Sequence, residues 1–506
     1  MYDDNHLASH LRRASLGRED AVFLIEPGGR RISYGDFFAD AERMARMLAE
    51  AGVAPGDRVM VQAPKTVAML QLYLGSVLAG AVFVPLNTAY TAAEVEYFLG
   101  DAQPALLVCD PARQEALAPM ARAAGVREVL TLAADEGGTL TARRDACAPG
   151  FAAVARGPEE LAAMLYTSGT TGRSKGAMLP HRALSSNAEA LAQVWRFTAD
   201  DVLIHALPVF HSHGLFVATN VTLVAGASCI FLPGFDADAI VAAMPQATAL
   251  MGVPTFYTRL LNHPGLAEAA RGMRVFISGS APLLPETHAR WRQVTGHAIL
   301  ERYGMTETNM NTSNPYDGER RAGTVGFPLP GVELRICDPE TGAELPRGEI
   351  GMIELRGPNL FTGYWNMPEK TAEEMRADGF FITGDLGLID ADGYVHIVGR
   401  GKDLVISGGF NVYPREVEVA IDALPGVEES AVIGVPHADL GEAVVAVVVP
   451  QAGASLTEAQ ILEGIAGDLA RFKQPRRVVF VDELPRNTMG KVQKAALRER
   501  FKGLFA

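Results

Sequence analysis

The sequence has few cysteines, no long uninterrupted apolar run and no excess of basic residues. The most apolar long region, residues 204–235, is interrupted by histidines, prolines and an asparagine, so it does not predict a membrane span. The formal net charge of −14 argues against nucleic acid or an anionic membrane as a partner. Four cysteines lie far apart without metal-like spacing, which gives no signal for a structural zinc and is typical of a reduced cytoplasm. They are Cys109, Cys147, Cys229 and Cys337.

We expect no signal peptide, and no internal repeat or low-complexity stretch is evident in the sequence. The first 13 residues, MYDDNHLASHLRR, lack the apolar core of a signal peptide. With 506 residues, 48% hydrophobic and 21% charged, the composition is that of a globular protein of roughly three domain-sized units. We therefore expect a cytoplasmic protein whose partners are small molecules.

Over the first four-fifths of the chain, short apolar runs alternate with segments in which apolar residues have the spacing of a helix. Residues 57–63 predict a strand, residues 65–80 a helix ending at Gly80, and residues 81–87 a second strand. The same rhythm recurs in the stretches DVLIHALP, SCIFLP, TALMGVP and RVFISGS. Such alternation predicts α/β layers with parallel sheets, and ligands usually bind at the carboxyl ends of these strands.

The pattern changes near residue 400. After this point, short strands flanked by turn residues surround a helical stretch that begins near Pro414. We therefore predict an α/β protein with a large N-terminal domain, 1–399, of layered α/β subdomains. A small mobile α+β C-terminal domain, 400–506, would follow, with the boundary at 400–403.

A glycine- and threonine-rich stretch, YTSGTTGRSKG at 166–176, directly follows the apolar run 161–165. It is either a surface turn or a cradle in which backbone N–H groups and hydroxyls close on phosphate. It is not a Walker A loop, because Ser174 precedes Lys175 and Gly176 follows it. The residues alone leave both interpretations open.

Four more stretches carry candidate polar residues, each with an ordinary structural alternative. In ERYGMTET (301–308), Thr306 could cap a following helix, or Glu307 could bind Mg²⁺. In FITGDLG (381–387), Asp385 could hold sugar hydroxyls. The last two stretches are 399–418 and 484–494, and Lys491 in the latter could equally be a solvated surface residue.

Taken in this order, the five stretches resemble the adenylate-forming superfamily of acyl-CoA synthetases, carrier-protein-loading adenylation domains and luciferases. The resemblance covers nearly the whole chain. It implies ATP, Mg²⁺ and coenzyme A as cofactors, and a reaction in which a carboxylate is joined to AMP and then transferred to the CoA thiol. It also implies that the small domain rotates about a hinge between the two steps.

The resemblance assigns roles to individual residues. The catalytic set is Lys491, His211, Glu307 and Thr306, and the metal would be held by Thr167 and Glu307. The ATP-binding set is Thr167, Ser168, Gly169, Thr170, Thr171, Gly172, Lys175, Ser280, Ala281, Glu301, Arg302, Tyr303, Asp385, Arg400 and Lys491. The hinge and CoA tunnel would use Lys402, Ser407, Gly408, Gly409 and Phe410. Lys402 departs from the Asp that many relatives carry at the hinge, which puts the energetics of rotation in doubt. The PRNTMGK context of Lys491 resembles sites acted on by lysine acetyltransferases and deacetylases.

The acid pocket carries charge where relatives for long or aromatic acids have apolar and small residues. A buried arginine costs several kcal/mol without an anion, and a second substrate carboxylate would offset this through bidentate hydrogen bonds. The predicted carboxylate ligands are Arg259, Ser280, Arg302 and His211, with His213, Asn309 and Asn311 nearby. In the alternative, Arg302 pairs with a neighbouring Glu and Arg259 lies on an exposed helix face.

These features predict a small dicarboxylate as the acid, and the stretches around them resemble the malonate-activating members of the superfamily. Methylmalonate is the expected second substrate, because one methyl group contributes only about 1–3 kcal/mol of discrimination. Three alternatives remain at this point. They are a ligase for a short-chain or aryl monocarboxylate, a carrier-protein-loading adenylation domain, and a non-catalytic nucleotide-binding protein.

Overall fold

The computed structural model describes residues 2–167, 174–407, 410–437, 440–469, 471–487 and 490–505. The strand–helix–strand unit predicted at 57–87 is confirmed as Arg58–Gln62, Val67–Leu78 and Val82–Pro85. Its helix begins where the Thr66 hydroxyl accepts a hydrogen bond from the Met69 amide, the usual way to satisfy a free N–H at a helix start.

The strands follow one another through the described residues with short connections. In the first third they are β1 Val22–Ile25, β2 Arg31–Ser33, β3 Arg58–Gln62, β4 Val82–Pro85, β5 Leu106–Cys109, β6 Glu128–Thr131, β7 Leu161–Thr167 and β8 Lys175–Pro180. The middle holds β9 Val202–His205, β10 Ser228–Phe231, β11 Ala249–Gly252, β12 Val275–Ser278, β13 Leu300–Met305, β14 Asn309–Ser313 and β15 Phe327–Pro328. Then come β16 Glu333–Cys337, β17 Gly351–Arg356, β18 Gly363–Tyr364, β19 Phe381–Ile389 and β20 Val395–Arg400. The last are β21 Val405–Ser407, β22 Phe410–Val412, β23 Val427–His437, β24 Gly441–Pro450 and β25 Arg477–Phe480.

Helices cover the sheets and connect their strands. Up to residue 225 they are α1 His6–Arg12, α2 Tyr34–Glu50, α3 Val67–Leu78, α4 Ala92–Ala102, α5 Gln114–Ala123, α6 Thr139–Ala146, α7 His181–Val194 and α8 Asn220–Ala225. The others are α9 Ala237–Ala243, α10 Pro254–Leu260, α11 Leu266–Ala269, α12 Pro285–Thr295, α13 Pro368–Glu373, α14 Pro414–Asp422, α15 Glu458–Ile465 and α16 Lys494–Phe501. A π-helix, His213–Thr219, directly precedes α8.

Two large sheets form the N-terminal part of the described chain. The first has the order β15-β14-β13-β12-β11-β9-β10-β1-β2, and β13, β12, β11, β9, β10 and β1 are parallel neighbours. The second has the order β18-β8-β7-β4-β3-β5-β6 and is parallel from β7 to β6. The predicted parallel α/β layers are therefore confirmed.

The glycine- and threonine-rich stretch connects two antiparallel strands of the second sheet. Thr167 at the end of β7 pairs with Lys175 at the start of β8. Five residues between these strands that the resemblance assigns to ATP lie outside the described residues: Ser168, Gly169, Thr170, Thr171 and Gly172. The same holds for Gly408 and Gly409 of the predicted CoA tunnel. The roles of all seven residues stay predictions.

Two smaller sheets complete the described part of the chain. β16, β17, β19 and β20 form an antiparallel sheet that ends at Arg400, and a 3₁₀ turn, Gly401–Asp403, follows. The next sheet contains β22, β21, β24 and β23, with β25 parallel to β24, and α14–α16 accompany it. Its residues form their own apolar clusters, which confirms a smaller α+β C-terminal domain. The boundary at 400–403 and the hinge stay predictions.

No helix in the described ranges has both the length and the apolar character that crossing a membrane requires.

Candidate active site

Tyr303, Asp385 and Arg400 meet although they belong to two different sheets. The Tyr303 hydroxyl donates to Asp385 Oδ2 at 2.5 Å, and Arg400 Nε lies 2.7 Å from Asp385 Oδ1. The register of β19 and β20 aligns Asp385 with Arg400. Since each carboxylate oxygen has further acceptor capacity, this oriented Asp385 can also accept hydrogen bonds from sugar hydroxyls.

Lys491 reaches the same site from the C-terminal domain. Its loop is closed by a hydrogen bond from the Lys491 amide to Asn487 Oδ1 at 2.9 Å. Gly490, at φ +75°, lies against the start of α10, where an added Cβ would be 3.4 Å from Thr255 Oγ1. Burial, followed by the charge of Arg400, lowers the pKa of Lys491, although water still reaches the side chain. The lysine is therefore positioned to deliver positive charge into the site.

Lys175 and Glu307 are linked by Tyr364 and Glu374, two residues that the sequence analysis did not identify. Lys175 Nζ lies 3.9 Å from the centre of the Tyr364 ring and 3.3 Å from Glu374 Oε1. The Tyr364 hydroxyl lies 2.6 Å from Glu374 Oε2 and 3.0 Å from Glu307 Oε1. Tyr364 is brought here because β18 pairs with β8, a contact between distant segments that no local motif reveals.

Glu307 fits the predicted magnesium ligand. It is 6% exposed, and burial raises the pKa of its carboxyl group, which a divalent cation would counteract. The described residues contain no cluster of three or more His, Cys, Asp or Glu for a metal. Mg²⁺ would therefore take this carboxylate together with phosphate and water oxygens, as is usual in nucleotide sites. Thr167 Oγ1 is 3.4 Å from the Lys175 carbonyl oxygen, which leaves its own oxygen able to bind a cation.

Thr306 lies in the turn 306–308 that joins β13 to antiparallel β14. The segment directly after this turn is strand β14 and not a helix, so the helix-cap alternative is wrong. The turn instead brings Glu307 into the site.

Arg302 is buried, and no described residue forms an ion pair with it. It is 2% exposed, and neither Nε nor Nη2 has a hydrogen-bond partner in the described ranges. Burial lowers its pKa to about 9. The guanidinium lies against Gly279, where an added Cβ would be 2.4 Å from Arg302 Cζ. The alternative that Arg302 pairs with a neighbouring Glu is therefore wrong for the described residues.

Two neutral histidines line the space beside Arg302. His213 Nδ1 lies 3.2 Å from Ser280 Oγ, and its Nε2 has no partner. The His213 amide is 3.5 Å from His211 Nδ1. Burial, followed by the Arg302 charge, lowers the pKa of His211 to about 4 and that of His213 well below its usual value. Ser280 has φ +71°, a strained conformation for a non-glycine residue that is common at functional sites.

Arg259 is not buried with Arg302 and the two histidines. It lies exposed on α10, with its guanidinium carbon 5.5 Å from the centre of the Phe235 ring. The expectation of a buried Arg259 is wrong, and the exposed-face alternative holds. Asn309 and Asn311 are both buried. Asn309 Oδ1 accepts from the Ser212 hydroxyl and its Nδ2 donates to the Asn359 carbonyl. Asn311 Oδ1 accepts from Asn359 Nδ2, whereas Asn311 Nδ2 has no partner among the described residues.

Glu301 presents a buried acceptor close to Leu283. Its Oε1 accepts a hydrogen bond from the Leu283 amide at 3.1 Å, whereas Oε2 has no partner. Burial raises the pKa of Glu301 to about 7. An exocyclic amine such as that of adenine could donate to Oε2, so the predicted nucleotide role fits the geometry.

The predicted hinge and tunnel residues lie at the start of the C-terminal domain. Lys402 is exposed in the 3₁₀ turn, and Ser407 is buried and pairs with Phe410 across β21 and β22. Their functional roles stay predictions.

Comparison with known proteins agrees with this geometry. The chain matches the family described as "AMP-binding enzyme" over residues 11–365 and the "AMP-binding enzyme C-terminal domain" over 416–491. It is 36% identical to a feruloyl-CoA synthase of an Amycolatopsis species, covering 97% of this chain and 98% of the relative. It is 33% identical to a malonate–CoA ligase of Arabidopsis thaliana, covering 94% and 85%. Among solved structures, ATP-bound MatB of Rhodopseudomonas palustris is 59% identical, with a TM-score of 0.97 and 99% and 100% of the chains covered.

The match to the family model spans most of the chain, and the nucleotide-site residues meet in one place. The chain therefore belongs to the AMP-binding enzyme family.

Proposed function

We propose that the protein is an AMP-forming acid–thiol ligase that converts malonate, ATP and CoA to malonyl-CoA, AMP and pyrophosphate. The observation that carries this proposal is the buried Arg302 with two unpartnered nitrogens. The relatives named as malonate–CoA ligases support the same activity. Methylmalonate is the proposed second substrate.

The distal carboxylate of malonate would bind Arg302. Two unpartnered guanidinium nitrogens match the two oxygens of a carboxylate, and such charge-assisted pairs are among the strongest hydrogen bonds. If Ser280 donates to His213 Nδ1, the proton of the neutral ring lies on Nε2, which can then donate to the same carboxylate. A methyl group or an aromatic ring in place of this carboxylate has no oxygen that could accept hydrogen bonds from these donors.

In the first step, an oxygen of the other malonate carboxylate attacks the α-phosphorus of ATP, and pyrophosphate leaves. Two anions approach each other, so cations fixed around the α-phosphate stabilise the transition state. Lys491 would supply one of them and Lys175 would hold the leaving polyphosphate, while Asp385 and Tyr303 would bind the nucleoside. When bound, Mg²⁺ neutralises phosphate charge at Glu307.

In the second step, the CoA sulfur attacks the acyl carbon and the bond to AMP breaks, with the thiol proton released to solvent. We propose that the C-terminal domain turns about Lys402 for this step, so that 407–410 replaces Lys491 at the site. We also propose a cytoplasmic location, supported by four free cysteines. Acetylation of Lys491 would remove the charge that the first step needs.

A ligase for an aryl monocarboxylate is the second candidate, favoured by the identity to feruloyl-CoA synthase. Pyrophosphate release measured with malonate, methylmalonate, propionate and ferulate, each with and without CoA, separates the candidates. We expect malonate to give the highest kcat/KM and to require CoA for thioester formation. A higher value with ferulate or propionate would overturn the malonate proposal.

A further inference from the structure

Glu374 is not among the site residues predicted from the sequence, but its carboxylate contacts one of them, Lys175. It directly follows α13, and its backbone is tied down by a 2.8 Å hydrogen bond from the Ile382 amide to its carbonyl oxygen. Oε2 accepts from the Tyr364 hydroxyl at 2.6 Å, and Oε1 lies 3.3 Å from Lys175 Nζ and 3.2 Å from Lys370 Nζ. Both carboxylate oxygens are thus engaged by side chains, and Oε1 contacts Lys175, the residue assigned to the polyphosphate.

The carboxylate is an anion at neutral pH. Burial alone would raise the pKa of Glu374, but the Tyr364 hydroxyl and the charges of Lys175 and Lys370 outweigh it, and the pKa is lowered. An anion beside Lys175 restrains the most flexible part of that side chain. Lysine loses considerable rotamer freedom when it is ordered.

Tyr364 makes this restraint part of a rigid unit. It is 3% exposed, and its strand pairs with β8, which begins at Lys175. The ring supports the lysine ammonium from one side at 3.9 Å, a favourable cation–π arrangement. The lysine has three N–H donors, so contact with Glu374 leaves donors for phosphate oxygens.

We propose that Glu374 is a positioning residue for the ATP polyphosphate: it holds Lys175 on the Tyr364 ring before the nucleotide binds. This inference rests on the proposed ATP-dependent function and extends it to a residue that contacts no substrate. ATP then meets an ordered lysine, and the entropy of ordering it is not lost on binding.

The test is the Mg-ATP dissociation constant, measured by calorimetry without acid or CoA. Glu374→Gln keeps the size of the side chain and removes its charge, and we expect about three- to tenfold weaker binding, the range for one immobilised side chain. Glu373→Gln is the matched control, because this neighbour is exposed and, among the residues that the structure describes, pairs only with Lys370. We expect it to bind within about twofold of wild type.

A double-mutant cycle with Lys175→Ala separates positioning from a structural role. If Glu374 acts through Lys175, Glu374→Gln has no further effect in the Lys175→Ala background. Unchanged or tighter binding by Glu374→Gln alone, or an equal loss in both backgrounds, would overturn the proposal. Should Glu374→Gln fail to fold, Glu374→Asp compared with Glu373→Asp carries the same test, because the shorter carboxylate retreats from Lys175.

The result does not depend on which acid is activated. If the malonate proposal fails, the Glu374 effect on Mg-ATP binding is still measurable. If Glu374 has no effect, malonate activation is untouched.

Discussion

Replacing Arg302 by Gly removes the one buried cation that the proposal gives to the distal carboxylate. Truncating one partner of a buried, hydrogen-bonded charge pair costs about 2–5 kcal/mol, because the other charge is left unpaired. At about 1.4 kcal/mol per factor of ten, kcat/KM for malonate should fall by roughly 30- to several thousand-fold. Propionate has no second carboxylate, so its kcat/KM should change far less.

The assay is pyrophosphate release with both acids, together with the Mg-ATP dissociation constant as a check that the nucleotide site is intact. Arg302→Met supplies a second variant with nearly the same volume. Since Arg302 Nε and Nη2 have no hydrogen-bond partner among the described residues, Arg302→Met should not lower the free energy of unfolding. If kcat/KM for malonate falls no more than kcat/KM for propionate, Arg302 does not bind the distal carboxylate.

Three further predictions test other parts of the site. Lys491→Ala should reduce the rate of malonyl-adenylate formation by about two to three powers of ten. The rate of thioester formation from supplied malonyl-adenylate should stay within about tenfold of the wild-type rate. Equal loss in both assays would contradict the proposed rotation of the C-terminal domain between the two steps. Gly279→Ala places a methyl group 2.4 Å from Arg302 Cζ and should lower kcat/KM for malonate with little change in Mg-ATP affinity. A loss of ATP binding alone would contradict the placement of malonate at Arg302. Glu301 has its pKa raised to about 7, so its contribution to stability is present below pH 4.5 and is lost as pH rises through 7. Between pH 4 and 8, the free energy of unfolding of Glu301→Gln, measured with denaturant, should rise by about 3 kcal/mol relative to that of wild type. A difference in unfolding free energy that does not vary with pH would contradict this.

The sequence predicted those parts of the fold that depend on local pattern. The unit at 57–87 has the strand–helix–strand order that its apolar runs and turn residues predict, although its helix is buried on all sides rather than on one face. The family resemblance assigns both Asp385 and Arg400 to the ATP-binding set, and their cross-strand pairing brings them together.

Two features of the site could not be predicted because they depend on distant contacts. Arg302 and Arg259 are both arginines in apolar surroundings in the sequence, but the strand directs one inward and α10 directs the other to solvent. Glu374 lies in a stretch rich in charged residues, typical of a solvated surface. It reaches Lys175 only because β18 joins β8 across nearly two hundred residues of chain.

The proposed reaction begins when a malonate oxygen attacks the α-phosphorus of ATP, and the CoA thiol then displaces AMP. Malonate labelled with ¹⁸O in its carboxylates, turned over with ATP and CoA, tests this order by mass spectrometry of the nucleotide product. We expect AMP that carries one ¹⁸O atom from malonate and pyrophosphate that carries none. Label in inorganic phosphate with ADP as the product, or AMP without label, would contradict it.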